Sequence, residues 1–76
     1  MSYYIVPIVR HGLLPLWREF WNSEMPDDRF RAVNKDGALG RSTIIKAKNR
    51  KEAKRIAEAE HPKDAAIYDA ISKIER

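Results

Sequence analysis

The chain has no cysteine. Disulfides, thiolate-ligated zinc and iron–sulfur clusters are therefore excluded, and a thiol-free chain fits a reducing cytoplasm best. Histidine is scarce: His11 and His61 stand fifty residues apart with no thiol to join them, so no metal site is expected. Glycine is also scarce, with only three. The one segment with a phosphate-loop look, Gly37-Ala38-Leu39-Gly40-Arg41-Ser42, lacks the Lys-Ser/Thr pair and leads into a strand pattern. A hairpin connection is the better reading of it. No serine lies in a Gly-x-Ser-x-Gly elbow, and the adjacent Asp27 and Asp28 read as a cap or turn. No apolar run approaches the roughly 20 residues of a membrane-spanning helix. No basic segment followed by an apolar stretch and a small-residue cleavage site opens the chain, so no signal peptide and no membrane partner are expected. These absences leave no catalytic group and no cofactor to expect.

Seventy-six residues make one small domain, residues 1–76, with room for a single core. Such a chain buries only about 60% of the surface it exposes when unfolded, so its stability margin is thin. Hydrophobic residues are 43% of the total and spread along the whole length, which suffices for one core despite 34% charged residues.

Period-two and period-3.6 patterns divide the chain. Tyr3 to Arg10 is rich in β-formers and predicts a strand; Pro7 inside it predicts an edge position or a bulge. Leu13, Leu16, Trp17, Phe20 and Trp21 fall at helical spacing, and Pro15 suits a first turn, so a helix is expected over about 14 to 22. Asn22 to Asp28 reads as a loop. Arg29 to Asn34 alternates, Asp36-Gly37 is a turn dipeptide, and Arg41 to Lys48 is extended again, which together predict a hairpin. Asn49 followed three residues later by Glu52 is close to a capping box. It opens a helix with Ala53, Ile56, Ala57 and Glu60 on one face, ending near His61 before Pro62. Ala65 to Ile74 fits a helix by period, yet the strands before it need a covered sheet, and a strand there completes a β-α-β unit. The expected fold is a single α+β domain: an antiparallel sheet with helices on one face, in the ferredoxin-like order β-α-β-β-α-β.

Charge is segregated. The net charge is +4, but between Arg29 and Arg55 ten basic residues face only Asp36 and Glu52, a local +8. The rest of the chain, with five basic and nine acidic residues, carries −4. Such a block suits phosphate or an acidic protein surface, or is simply a solvated face. Its candidate binding residues are Arg29, Arg31, Arg41, Lys46, Lys48, Arg50, Lys51, Lys54 and Arg55. A second candidate surface is aromatic, with Tyr4 and Trp21 as its binding residues. Trp17 and Phe20 are the core candidates beside them. If Ile45 and Ala47 face the core, Lys46 and Lys48 point away from it, and the cations of the following helix form a separate group. Arg41 to Lys48 carries no aromatic residue, so the base-stacking strand of an RNA-recognition motif is missing.

The stretch from Thr43 to Glu60, with its strand ending in Ala47, its polar Asn49 cap and its Ala53-Lys54-Arg55-Ile56-Ala57 helix, resembles a unit of small phage-encoded proteins. Certain type I anti-CRISPR proteins share this layout, and the short podophage inhibitors of host RNA polymerase are similar in order. The resemblance spans roughly residues 29 to 74. It implies a final strand and a non-enzymatic inhibitor that occludes a protein or ribonucleoprotein machine in the host cytoplasm, a CRISPR effector being one such machine. The alternative expectation is a direct binder of DNA or RNA, with the 29–55 cations on phosphates.

Overall fold

Pro7 lies in the strand with which every other strand pairs. A computed structural model describes residues 1–75 and gives seven regular elements: β1 (Ser2–Arg10), α1 (Leu14–Trp21), α2 (Asp27–Val33), β2 (Ser42–Ala47), α3 (Arg50–Glu60), β3 (Asp64–Ala66) and β4 (Ser72–Lys73). The sheet is antiparallel, with β2 along one edge of β1 and β3 and β4 in succession along the other. The α+β class holds.

The central place of β1 corrects the edge-strand half of the Pro7 expectation. The proline is tolerated because of where its missing N–H would point. The Pro7 and Tyr3 carbonyls accept from Ile67 and Ile74, so the odd residues of β1 face the β3–β4 side. There the pairing shifts: Ile8 to Arg10 pair with Ala66 to Asp64, but Ile5 and Tyr4 pair with Ser72 and Lys73. Three extra residues, the 3-10 turn Tyr68–Ala70, absorb the slip. The donor that Pro7 lacks falls at this break in the ladder. Thus Ala65 to Ile74 does pair in the sheet, but as two short strands around a turn rather than one strand.

A larger correction concerns Arg29 to Asn34, which is helical in α2. Pro26 is extended at the N-cap, and Asp27 and Asp28 occupy the first turn, where carboxylates complement the helix dipole. Phe30 and Val33, one turn apart, pack into the core, and the Phe30 ring stacks on Phe20 with centroids 4.9 Å apart. Tertiary burial of that i, i+3 pair overrides the short alternation. Asp36 and Gly37 do take left-handed conformations (φ 59° and 70°), but they join a helix to β2 and close no hairpin. The order is β-α-α-β-α-β-β, so the ferredoxin-like order does not carry over.

Alternation along β1 splits the core. Val6 and Ile8 face α3 and pack with Ile45, Ala47, Ala66, Ile71 and the helix residues Ala53 and Ala57. Their small side chains let α3 sit close to the sheet. Val9, the next residue along, belongs to a second cluster with Trp17, Leu39 and Ile67, which α1 and α2 cover through Leu14, Leu16 and Phe30. Helices therefore pack on both sides of β1, which corrects the expectation of helices on one face, and α3 alone covers the face of Val6 and Ile8.

The N-terminus of α3 is capped as its residues predict. Asn49 Oδ1 accepts from the Glu52 N–H at 2.8 Å, while Glu52 Oε1 reaches back to the Lys48 N–H at 3.3 Å. Asn49→Ala is expected to destabilise the domain by about 0.5–2 kcal/mol, because one helix N–H loses its acceptor. An unchanged urea midpoint would show that the cap contributes nothing.

Candidate binding groove

The cationic block does not survive folding as one surface. Arg29 pairs with Glu19 at 2.9 Å on the α1–α2 side, and Arg31 is exposed on α2. Arg41 grips Asp64 with both guanidinium nitrogens, at 2.9 and 3.0 Å. Its guanidinium is therefore engaged within the fold, away from the other cations of the block. Lys46 lies on the sheet face opposite α3, with Nζ 5.7 Å from the centre of the Tyr3 ring, its cross-strand partner. Lys48 is exposed just past the end of β2. The separation of Lys46 from the helix cations follows from strand alternation, as expected.

Arg50, Lys51, Lys54 and Arg55 do come together. Lys51, Lys54 and Arg55 line a groove of about 1120 Å³ between the outer side of α3 and Tyr68. Arg50 and Lys73 border its continuation past Lys51. At the other end it continues past Lys54 to Arg18 and Trp21. Tyr68 lines all three stretches and is 44% exposed. The feature is an open groove on the surface, so it does not depend on a large enclosed pocket.

Two acids of the groove, Glu58 and Glu52, are already engaged, while Asp69 at the Trp21 stretch is exposed and forms no ion pair among the described residues. Glu58 accepts from Lys54 Nζ at 2.8 Å and from the Ala66 N–H at 3.2 Å, which ties α3 to β3. The Lys54 hydrogen bond, helped by the Ala66 N–H, holds the Glu58 carboxyl below the usual range against the effect of burial. Glu52 completes the cap. Arg50, Lys51, Arg55 and Lys73 form no ion pair among the described residues.

The two aromatic candidates separate. Tyr4 is 7% exposed and belongs to the core beneath α3, and only its edge borders the groove beside Lys51 and Lys73. Trp21 is 57% exposed and stacks on the buried Trp17, centroids 5.1 Å apart and planes 11° from parallel. It lies at the same groove as Lys54, so the basic and aromatic surfaces meet there. Tyr68 and Lys73 were not among the sequence candidates. The signal for Tyr68 was present: it is the bulky residue left outside the Ile67, Ala70, Ile71, Ile74 apolar set.

Among the described residues no three His, Asp or Glu side chains converge as metal ligands, and no helix is long and apolar enough to cross a membrane. No family model matches the chain, and no curated protein or solved structure is significantly similar to it.

Proposed function

We propose that this chain is a small non-enzymatic binding protein that seats an anionic surface of a larger partner in the α3–Tyr68 groove and blocks that surface by occupying it. The observation that carries the reading is the set of free cations, Arg50, Lys51, Arg55 and Lys73, around an exposed tyrosine, beside acids already held by Lys54 and the helix cap. Tyrosine, tryptophan and arginine at a desolvated centre are what binding hot spots are built from. The phage-protein resemblance of residues 43–60 supports an inhibitor of a protein or ribonucleoprotein machine in a host cytoplasm, a CRISPR effector among the candidates. A second reading, direct binding of single-stranded nucleic acid, is favoured by Tyr68 and Trp21 standing along the cationic groove as stacking platforms.

Titration with oligothymidine and with polyglutamate at several salt concentrations, followed by intrinsic fluorescence, tests both. Wild type is expected to bind one of them, and Lys51→Glu/Arg55→Glu to weaken that binding by about a hundredfold, ~2.7 kcal/mol. For the oligonucleotide, each lost phosphate contact lowers the salt slope by about 0.7. Surface substitutions of this kind change stability by less than about 0.5 kcal/mol each, so the variant stays folded. Equal binding by wild type and variant would overturn the groove as the site.

A further inference from the structure

The outer edge of β2 lies apart from the groove. Its backbone directions follow from the ladder. The Ile8 N–H donates to the Arg41 carbonyl at 3.1 Å, so Arg41 and, by alternation, Thr43, Ile45 and Ala47 face β1. Ser42, Ile44 and Lys46 then turn their N–H and C=O groups outward. β2 is the outermost strand on this side, and no described residue hydrogen-bonds to those three amides. The same residues place their side chains on the sheet face away from α3. There Ile44, 62% exposed, pairs across the strands with the exposed Ile5, and Lys46 with the exposed Tyr3. Three open backbone positions thus run beside a small apolar strip with a cation at one end.

We infer that the β2 edge accepts an extended segment of a partner protein as an added strand, one that sets an apolar side chain against Ile44 and a carboxylate against Lys46. Main-chain pairing supplies attachment, and the alternate side chains supply choice. Charge selects the occupant. β2 holds no acid, Lys46 and Lys48 are both exposed, and the nearby Arg41 already has its carboxylate in Asp64. A second copy is disfavoured on the same ground. Two-fold pairing centred on Ile44 sets Lys46 against Ser42, supplies no carboxylate, and brings together two chains of +4 each. A lysine on so short an edge also guards against indiscriminate pairing.

The probe is a capped peptide, Thr-Glu-Thr-Val-Thr-Glu-Thr, whose symmetry serves either strand direction. Its lysine counterpart, with both glutamates replaced, is the control. Amide hydrogen exchange and chemical shifts of the full chain give the readout. Millimolar acidic peptide is expected to protect the Ser42, Ile44 and Lys46 amides, with the lysine peptide at least about tenfold weaker. Lys46→Glu is expected to reverse that preference. Ile44→Pro is expected to abolish binding while the β1 ladder survives, because the lost N–H points outward. Lys51→Glu/Arg55→Glu, the groove variant, should bind the peptide as wild type does. Shifts at Lys51 and Arg55 in place of the β2 amides, an unchanged preference in Lys46→Glu, or protection that rises with protein concentration alone would each overturn the proposal. The last would assign the edge to a second copy.

Discussion

Arg41→Met is expected to cost about 3 kcal/mol at neutral pH, near the lower end for a broken buried ion pair, whereas Asp64→Asn should cost about 1 kcal/mol. The asymmetry comes from burial. Asp64 is 5% exposed, while the Arg41 side chain is 37% exposed. Removing the arginine strands a carboxylate in the interior; removing the carboxylate leaves a guanidinium that water can take. The pair also spans the end of β1: Arg41 precedes β2, Asp64 opens β3, and Arg10 pairs with Asp64 across the sheet.

The pH dependence should weaken when Arg41 is removed. In the wild type the Arg41 hydrogen bonds, with its charge, hold the Asp64 carboxyl below the usual aspartate range, against desolvation. A lowered native pKa gives stability that is complete above the unfolded pKa of about 4 and is lost as pH falls through the native value. Without Arg41 the largest influence that lowers the Asp64 pKa is gone, desolvation is opposed only by the weaker pull of Arg10 and His61, and the native pKa moves up towards the unfolded one. Protonation then costs the folded variant less than it costs the wild type. The gap between wild type and Arg41→Met should therefore narrow as pH falls below about 4. Thermal melts across that range check it, with a deficit of about 12–24 °C at neutral pH. A gap that stays constant with pH would mean that Asp64 does not carry the effect.

The same pair shows where reading a sequence by runs of charge stops working. Arg41 counted as one of ten cations because its carboxylate lies 23 residues away and only the antiparallel sheet brings the two together. Lys46 and Lys54 stand close in sequence yet on opposite sides of the sheet, since strand alternation and the turn into α3 decide their faces. Local chemistry was legible where it was sufficient: Asn49 and Glu52 do cap α3, and the Leu16, Trp17, Phe20 spacing does make α1. It was insufficient at α2, where six alternating residues fit a strand until Phe20 offered Phe30 a stacking partner. It was insufficient again at Ala65 to Ile74, where the helical period of Ile67, Ala70 and Ile71 is that of a single 3-10 turn inserted into a strand pair. Tyr68 owes its exposure to that insertion. Pairing parity, which depends on where α3 lands, also decided that Tyr4 would be core and Tyr3 surface.

Trp17→Ala is expected to cost about 3–5 kcal/mol, a large share of the roughly 4–11 kcal/mol available to a chain of this size. Trp17 is the buried residue of α1, and through it α1 reaches Val9, Leu39 and Ile67. Trp21→Ala should cost only about 1 kcal/mol, because that ring adds a stacked contact above Trp17 while more than half of it stays in water. The two clusters share β1, with Val6 and Ile8 on one face and Val9 on the other. That strand cannot lose one partner layer without straining its pairing to the other. Unfolding of Trp17→Ala should therefore remain a single transition, with loss of far-ultraviolet signal, to which all three helices contribute, coinciding with the change in Trp21 fluorescence from α1. Two separated midpoints would show instead that α1 and α2 are a detachable layer. In that case the Trp21 end of the groove could be deleted while the Lys51–Arg55–Tyr68 end stayed folded.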